Sequence, residues 1–205
     1  MLKNGLYVKC TNYNFKKLFE TKGYSWFDKG NYNLNIIGIR KNTNYKVTNT
    51  YDDILVVDYN TGNGHKRSLY NITTNPGAYY MRKPASAQGA AILVPNQYRG
   101  CWEIGLHRGK YKALCQKKPV IVYRDNNKDL HFDLDPTTTT EGVYGINIHR
   151  SNENWTRTTV DQYSAGCQVF NSPTDFNAFM RLCEKQKSLY GNSFTYTLLN
   201  EEDLI

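Results

Sequence analysis

Short strand-prone runs separated by turn signals dominate this sequence, and they constrain its fold more than any other feature. Runs rich in β-branched and aromatic residues occupy residues 34–39, 54–59, 91–94, 102–107, 120–124, 143–149 and 194–199. Turn-forming clusters lie at residues 60–64, 75–77 and 125–127. Tyrosine, which favours strands, supplies 17 residues. The pattern therefore predicts a mainly β chain with long polar loops.

One stretch near the C-terminus carries a full set of helix signals. Ser172 is a natural N-cap, Pro173 suits the first helical position, and Asp175 places a carboxylate in the first turn. Apolar side chains then recur at helical spacing, at Phe176, Phe179, Met180 and Cys183, and Gly191 can end the helix. A shorter apolar face in residues 13–21 predicts a small N-terminal helix. We therefore predict one domain over residues 1–205, a β-sandwich or mixed β architecture with a packed C-terminal helix.

The net charge of +8 bears on possible partners. A positive charge suits nucleic acid, a membrane surface or an anionic wall polymer. The lysines and arginines are scattered, however, and no zinc-finger spacing or RNA-binding aromatic signature accompanies them. We favour a solvated surface over nucleic-acid recognition, and a basic nucleic-acid-binding module stays open as an alternative.

The start of the chain and its cysteines bear on its location. Asn, Gly and Lys interrupt residues 1–9 before any apolar signal region develops, and the longest apolar stretch, residues 90–94, is too short to span a bilayer. We therefore expect synthesis in a cytoplasm without a signal peptide and no membrane span. The five cysteines lack paired metal-ligand spacing, so we expect free thiols, no metal site and no cofactor.

His149 is the first candidate for chemistry. If residues 143–149 form a strand, alternation places Tyr144, Ile146 and Ile148 on one face. His149 then lies on the other face with Gly145 and Asn147. The alternative is a structural histidine whose ring is satisfied by a backbone partner.

Cys167 is the second candidate, and it strengthens the first. It follows Ser164 and Gly166, small residues that allow a tight turn and can present backbone N–H groups to a ligand. A thiol in such a turn can attack a carbonyl while neighbouring amides hold the oxyanion that develops. We predict that His149 takes the thiol proton. The alternative is a small buried core cysteine.

The order of these residues resembles the L,D-transpeptidase (YkuD-type) family. Papain-type sites place the cysteine first, and caspase-type sites place the histidine about 50 residues upstream. The family's motif is instead a strand-end His, a loop, and then Ser/Thr-His-Gly-Cys, which is similar to His149 followed by residues 164–167 here. Residues 73–77 look like the family's Thr-Pro-x-Gly strand entry, and the likeness covers residues 70–200. Residues 1–70 lie outside it.

The resemblance implies a mainly β YkuD-like fold and a cysteine enzyme that acts through an acyl-enzyme on peptidoglycan stem peptides, by hydrolysis or transpeptidation. Ser164 and Gly166 would support the nucleophile. The candidate substrate contacts are Arg150, Asn147, His107, Tyr163 and Trp155. A phage-encoded lytic or virion-carried enzyme, acting on the cell wall at lysis, fits the lack of a signal peptide.

Two positions depart from the family's motif. Ala165 stands where the family has its second His, and Gln168 with Val169 replaces an aliphatic residue followed by Arg or Asn. His107 is a candidate to replace the missing histidine in the cleft, with a structural role as its alternative. The departures also motivate a rival function, a catalytically inactive YkuD-like virion structural or binding protein.

Overall fold

A closed barrel of eight strands forms the centre of this protein in its computed structural model, which describes residues 5–204. The strands are β1 (Asn35–Arg40), β2 (Asp53–Thr61), β3 (Gly64–Thr73), β4 (Ala90–Leu93), β5 (Asn96–His107), β6 (Tyr111–Gln116), β7 (Val120–Asp125), β8 (Thr140–Gly142), β9 (Ile148–Arg150), β10 (Gln168–Phe170) and β11 (Phe194–Asn200). The barrel order is β1-β11-β5-β6-β9-β10-β3-β2, and β4, β7 and β8 form a separate small sheet. The mainly β class is confirmed, although the main sheet closes on itself instead of stacking as a sandwich.

The predicted C-terminal helix is confirmed. The helices are α1 (Gly5–Asn12), α2 (Phe15–Lys22), α3 (Ala78–Arg82) and α4 (Pro173–Tyr190). The Ser172 side chain caps α4 by accepting a hydrogen bond from the Asp175 N–H at 3.2 Å. The predicted N-terminal helix corresponds to α2, whereas α1 was not predicted. In the described part of the chain, no helix is long and apolar enough to cross a membrane.

Strand β1 is buried on both faces. Ile36 belongs to the cluster inside the barrel, which also receives Phe176 and Phe179 from α4. Ile37 and Ile39 belong instead to an outer cluster that α1 and α2 cover. This double coverage explains why the predicted strand at residues 34–39 reads as a nearly continuous apolar run.

The predicted strand at residues 143–149 is wrong over most of its length. Only its end is a strand, in β9, because Gly145 adopts a left-handed φ of 72° that interrupts the extended backbone. The Gln116 side chain replaces a neighbouring strand there. Its Oε1 accepts hydrogen bonds from the N–H groups of Tyr144 and Ile146 at 3.1 and 2.9 Å.

Several regular elements were missed, among them β3, β6 and β10. His65 lies in β3, where its half-exposed ring contacts the buried Asp58 carboxylate. Residues 73–77 run from the end of β3 into α3, so they form a strand exit and not a strand entry.

The first three barrel strands, β1 to β3, come from residues 35–73 and belong to the same barrel as β10. The predicted division at residue 70 stays a prediction. Residues 1–4, at the start of the segment searched for a signal, lie outside the described range.

We predict that Gly38→Ala destabilises the barrel. A Cβ at residue 38 would collide with the Tyr196 hydroxyl inside the barrel. Overpacking of this kind costs about 1–3 kcal/mol, measurable by urea denaturation. Gly105→Ala in β5 is the matched control, because its nearest neighbour would be the Cys115 sulfur at 3.4 Å. Equal unfolding free energies for the two variants would contradict the prediction.

Candidate active site

Parallel pairing of β9 with β10 places the two predicted catalytic residues on the same face of the sheet. In the register, Gln168 lies opposite Ile148 and Val169 opposite His149. Ile148 belongs to the cluster inside the barrel, so His149 and Cys167 face outward by strand alternation. The Asn147 N–H lies 3.4 Å from the Cys167 sulfur, which places the thiol beside the residue two positions before His149.

A tight turn places Cys167 at the start of β10. The fully buried Ser164 hydroxyl accepts a hydrogen bond from the Gly166 N–H at 3.2 Å and donates one to the Cys167 carbonyl at 2.8 Å. The Gly77 N–H donates to the Ser164 carbonyl at 2.9 Å. Gly166 has a φ of 122°, and a Cβ there would collide with the Ala91 carbonyl. Ser164 therefore holds the turn from inside and does not face a substrate.

The Cys167 thiol is protonated at neutral pH. Burial of the sulfur raises its pKa to about 11, although the Asn147 N–H and the positive charge of Arg108 act in the opposite direction. The thiol donates to the Gly145 carbonyl at 3.3 Å. Within residues 5–204 the sulfur makes no hydrogen bond to His149. The resting state is therefore a neutral thiol and not a thiolate.

His149 is held as a neutral base. Its Nδ1 lies 2.9 Å from the Arg150 carbonyl, which requires the ring proton on Nδ1 and leaves the lone pair on Nε2. The Tyr111 hydroxyl donates to the same carbonyl at 3.1 Å. Burial and the neighbouring His107 lower the pKa of His149 to about 3. The imidazole is therefore neutral at neutral pH, with an unprotonated Nε2.

Two of the predicted substrate contacts, His107 and Asn147, support His149. The His107 ring stacks on the His149 ring with centroids 4.1 Å apart. The Asn147 amide donates to Nδ1 of His107 at 3.1 Å and accepts from the Gln116 N–H at 2.9 Å. Because both polar ends of Asn147 are occupied, it bridges β6 and His107. Asn147 thereby ties the histidine pair to strand β6.

The other three predicted contacts lie in or beside the loop between the two strands. The Arg150 guanidinium stacks over the Tyr111 ring at 4.4 Å and pairs with Glu153 at 3.0 Å, so its charge already has a partner. Trp155 is 54% exposed. Tyr163 packs with Cys167 against the cluster of Tyr51, Val160 and Val169. Tyr163 therefore shares a hydrophobic cluster with Cys167.

Sequence reasoning missed three residues that shape the site. The Arg157 guanidinium lies 5.3 Å from the Trp155 ring and 5.1 Å from the Tyr163 ring. An arginine between two aromatic residues was a visible signal for this arrangement. Tyr111 and Gln116 gave no such signal, because both belong to the unpredicted strand β6 and act across the sheet.

A groove of about 390 Å³ begins beside the turn of residues 164–167, which we call the nucleophile turn. Ala165, which stands at the position of the family's second histidine, lines it. Its wall also includes Tyr80, Ala91, Arg124, Tyr144 and Ile146. The small Ala165 side chain therefore borders an open groove instead of placing a polar group beside the thiol.

We predict that alkylation of Cys167 by iodoacetamide accelerates about tenfold per pH unit up to pH 10, because only the thiolate reacts. Peptide mapping by mass spectrometry resolves this cysteine from the other four. Arg108→Gln should slow the reaction roughly twofold to threefold, since an exposed charge is screened. Lys110→Gln on the same hairpin is the control. A rate plateau between pH 5 and 8 would show a preformed thiolate and refute the assignment.

We also predict that His149 makes the fold sensitive to acid. In the unfolded chain the imidazole pKa is 6.5, whereas burial lowers it to about 3 in the fold. The unfolded state therefore binds an extra proton below pH 6.5, and stability falls as pH falls through that window. From pH 7 to 5, His149→Gln should lose about 1–2 kcal/mol less unfolding free energy than the wild type. The exposed His131→Gln is the control, and identical losses in all three proteins would exclude this role.

Comparisons with known proteins add no relative to this geometry. No protein-family model matches the chain, and neither a curated protein nor a solved structure matches it. The likeness to the L,D-transpeptidase family stays a prediction that rests on His149 and on residues 164–167.

Proposed function

We propose that this protein is a cysteine acyl-transfer enzyme of the L,D-transpeptidase type, with Cys167 as nucleophile and His149 as base. The observation that carries the proposal is the shared outward face of β9 and β10, which holds both a thiol and a neutral histidine. The Arg150 carbonyl fixes the His149 proton on Nδ1 and leaves Nε2 as the base. This is the tautomer that nucleophilic catalysis requires.

The reaction begins with rotation of the thiol away from the Gly145 carbonyl and toward Nε2 of His149. The sulfur then adds to a peptide carbonyl as its proton passes to Nε2. Collapse of the tetrahedral intermediate breaks the C–N bond, and the imidazolium returns the proton to the leaving amine. A second amine or a water molecule then takes the acyl group from the thioester, which gives transpeptidation or hydrolysis respectively.

The Cys167 N–H is the amide available to an oxyanion. The Gly166 N–H donates to Ser164, so it is already engaged. Among the described residues, none accepts a hydrogen bond from the Cys167 N–H. A single backbone donor at the nucleophile is worth about 10²–10³ in rate in related chemistry.

The surroundings support a peptide substrate with anionic groups. Arg157 lies between two aromatic rings, and no described carboxylate pairs with it. The groove of about 390 Å³ beside Ala165 is the candidate place for part of the substrate. The net charge of +8 suits an anionic wall polymer, which fits peptidoglycan as the substrate and a phage-encoded lytic or virion-carried enzyme as the setting.

One observation favours a second candidate, a binding protein without chemistry. The Cys167 sulfur makes its hydrogen bonds to the backbone of Gly145 and Asn147, and burial raises the pKa of the thiol. Such a thiol would serve packing alone if it never rotates toward His149. Peptidoglycan binding that survives Cys167→Ala, without turnover in the wild type, would select this candidate.

We predict that Cys167→Ala abolishes turnover of purified muropeptides, with kcat lower by about 10⁴ or more. His149→Ala should lower kcat by about 10²–10⁴, because only general base catalysis is lost. Cys115→Ala removes another partly exposed thiol and is the matched control. Mass spectrometry should detect a thioester on the peptide that contains Cys167. Unchanged cleavage or exchange in Cys167→Ala would disprove the proposed mechanism.

A further inference from the structure

Gln168, the residue that follows the nucleophile, points into the barrel and is fully buried. Its amide Nε2 donates a hydrogen bond to the Gly166 carbonyl at 3.3 Å. Its Oε1 accepts one from the Tyr196 hydroxyl at 2.8 Å. Both polar ends of this side chain are therefore used, one by the nucleophile turn and one by the barrel.

The bond to Gly166 acts on the peptide unit that contains the proposed oxyanion donor. The Gly166 carbonyl and the Cys167 N–H are the two ends of one planar trans peptide, so they point in opposite directions. A hydrogen bond that holds the carbonyl toward the barrel interior must aim the N–H away from it. That outer side is where the Cys167 sulfur and His149 lie.

Tyr196 anchors the Gln168 side chain in a fixed position. Its strand, β11, lies on the opposite side of the barrel from β10, because three strands separate the two in either direction around the ring. The side chain is nearly fully buried and packs edge-on against Trp102, with ring centroids 5.5 Å apart. It fits only because Gly38 has no side chain, since a Cβ at residue 38 would collide with its hydroxyl. The hydrogen bond from Tyr196 to Gln168 therefore spans the barrel interior from wall to wall.

We propose that Gln168 is a positioning residue, which aims the Cys167 N–H at the reacting oxygen by holding the Gly166 carbonyl and is itself anchored across the barrel by Tyr196. The inference rests on the proposed function, since it assigns a role in acyl transfer. It also accounts for the glutamine at a position where the family's motif has an aliphatic residue.

Two reactions of the same thiol separate this role from general support of the fold. Attack on 4-nitrophenyl acetate forms an S–C bond through a tetrahedral oxyanion and expels 4-nitrophenolate, and the thiol proton passes to base. Attack on iodoacetamide forms an S–C bond as the C–I bond breaks, and no oxyanion develops. The ratio of the two rates at Cys167, each followed by peptide mapping, therefore reports the oxyanion donor alone.

We predict that Gln168→Met lowers the ratio of acylation to alkylation by about tenfold or more, with alkylation unchanged within roughly twofold. Tyr196→Phe keeps Gln168 but removes its anchor, so the ratio should fall by roughly threefold to fivefold. Gln186→Met is the matched control, because Gln186 is also buried and links two backbone groups, those of Leu34 and Ser193, away from the site. It should lower the melting temperature without changing the ratio.

A ratio that stays at the wild-type value in Gln168→Met would overturn the positioning role, and so would an equal fall of both rates. If Gln168→Met does not fold, Tyr196→Phe tests the same role, and a ratio at the wild-type value in that variant would overturn it. Because the ester and iodoacetamide are artificial substrates, the result does not depend on muropeptide turnover. A lowered ratio together with unchanged wall cleavage in Cys167→Ala would support the positioning role while it refutes the proposed function.

Discussion

The parallel pairing of β9 with β10 is the interaction on which the rest of the site depends. Each strand has only three residues, and the pair is stable because neighbouring strands of a closed barrel hold both from the outer edges. Parallel neighbours cannot be joined by a tight turn and need a crossover of a dozen or more residues. The long interval between His149 and Cys167 is therefore a geometric requirement of the pairing. The loop that fills it also brings Arg157 and Tyr163 to the site.

Burial fixes the side chains of the candidate site and also shifts the pKa values of His149 and Cys167. The same packing that stacks His107 on His149 lowers the pKa of His149, and the crowding around the sulfur raises the pKa of Cys167. Both groups are therefore neutral at neutral pH. A protonated thiol of this kind reacts slowly with small electrophiles at neutral pH, because only the thiolate is nucleophilic.

Local signals in the sequence predicted elements whose stability is local. The N-cap at Ser172 and the apolar spacing after it located α4. The runs of β-branched residues located strands such as β1 and β2. The segment around Gly145 could not be predicted in the same way, because the side chain of Gln116, remote in sequence, supplies its hydrogen bonds. The candidate site was predictable in its two central residues. The roles of Asn147, Arg150 and Gln168 were not, because each depends on a partner from another strand or loop.

The hydrogen bond from Tyr196 to Gln168 has a consequence for the timing of chain synthesis. Strand β11 follows both the nucleophile turn and α4 in the sequence, so a ribosome completes it after Cys167 has emerged. Before β11 arrives, the barrel lacks the strand between β1 and β5, and Gln168 lacks its anchor. A nascent chain therefore exposes a thiol without an aligned backbone donor. If Gln168 positions the backbone donor as proposed, the candidate site is complete only when β11 closes the ring.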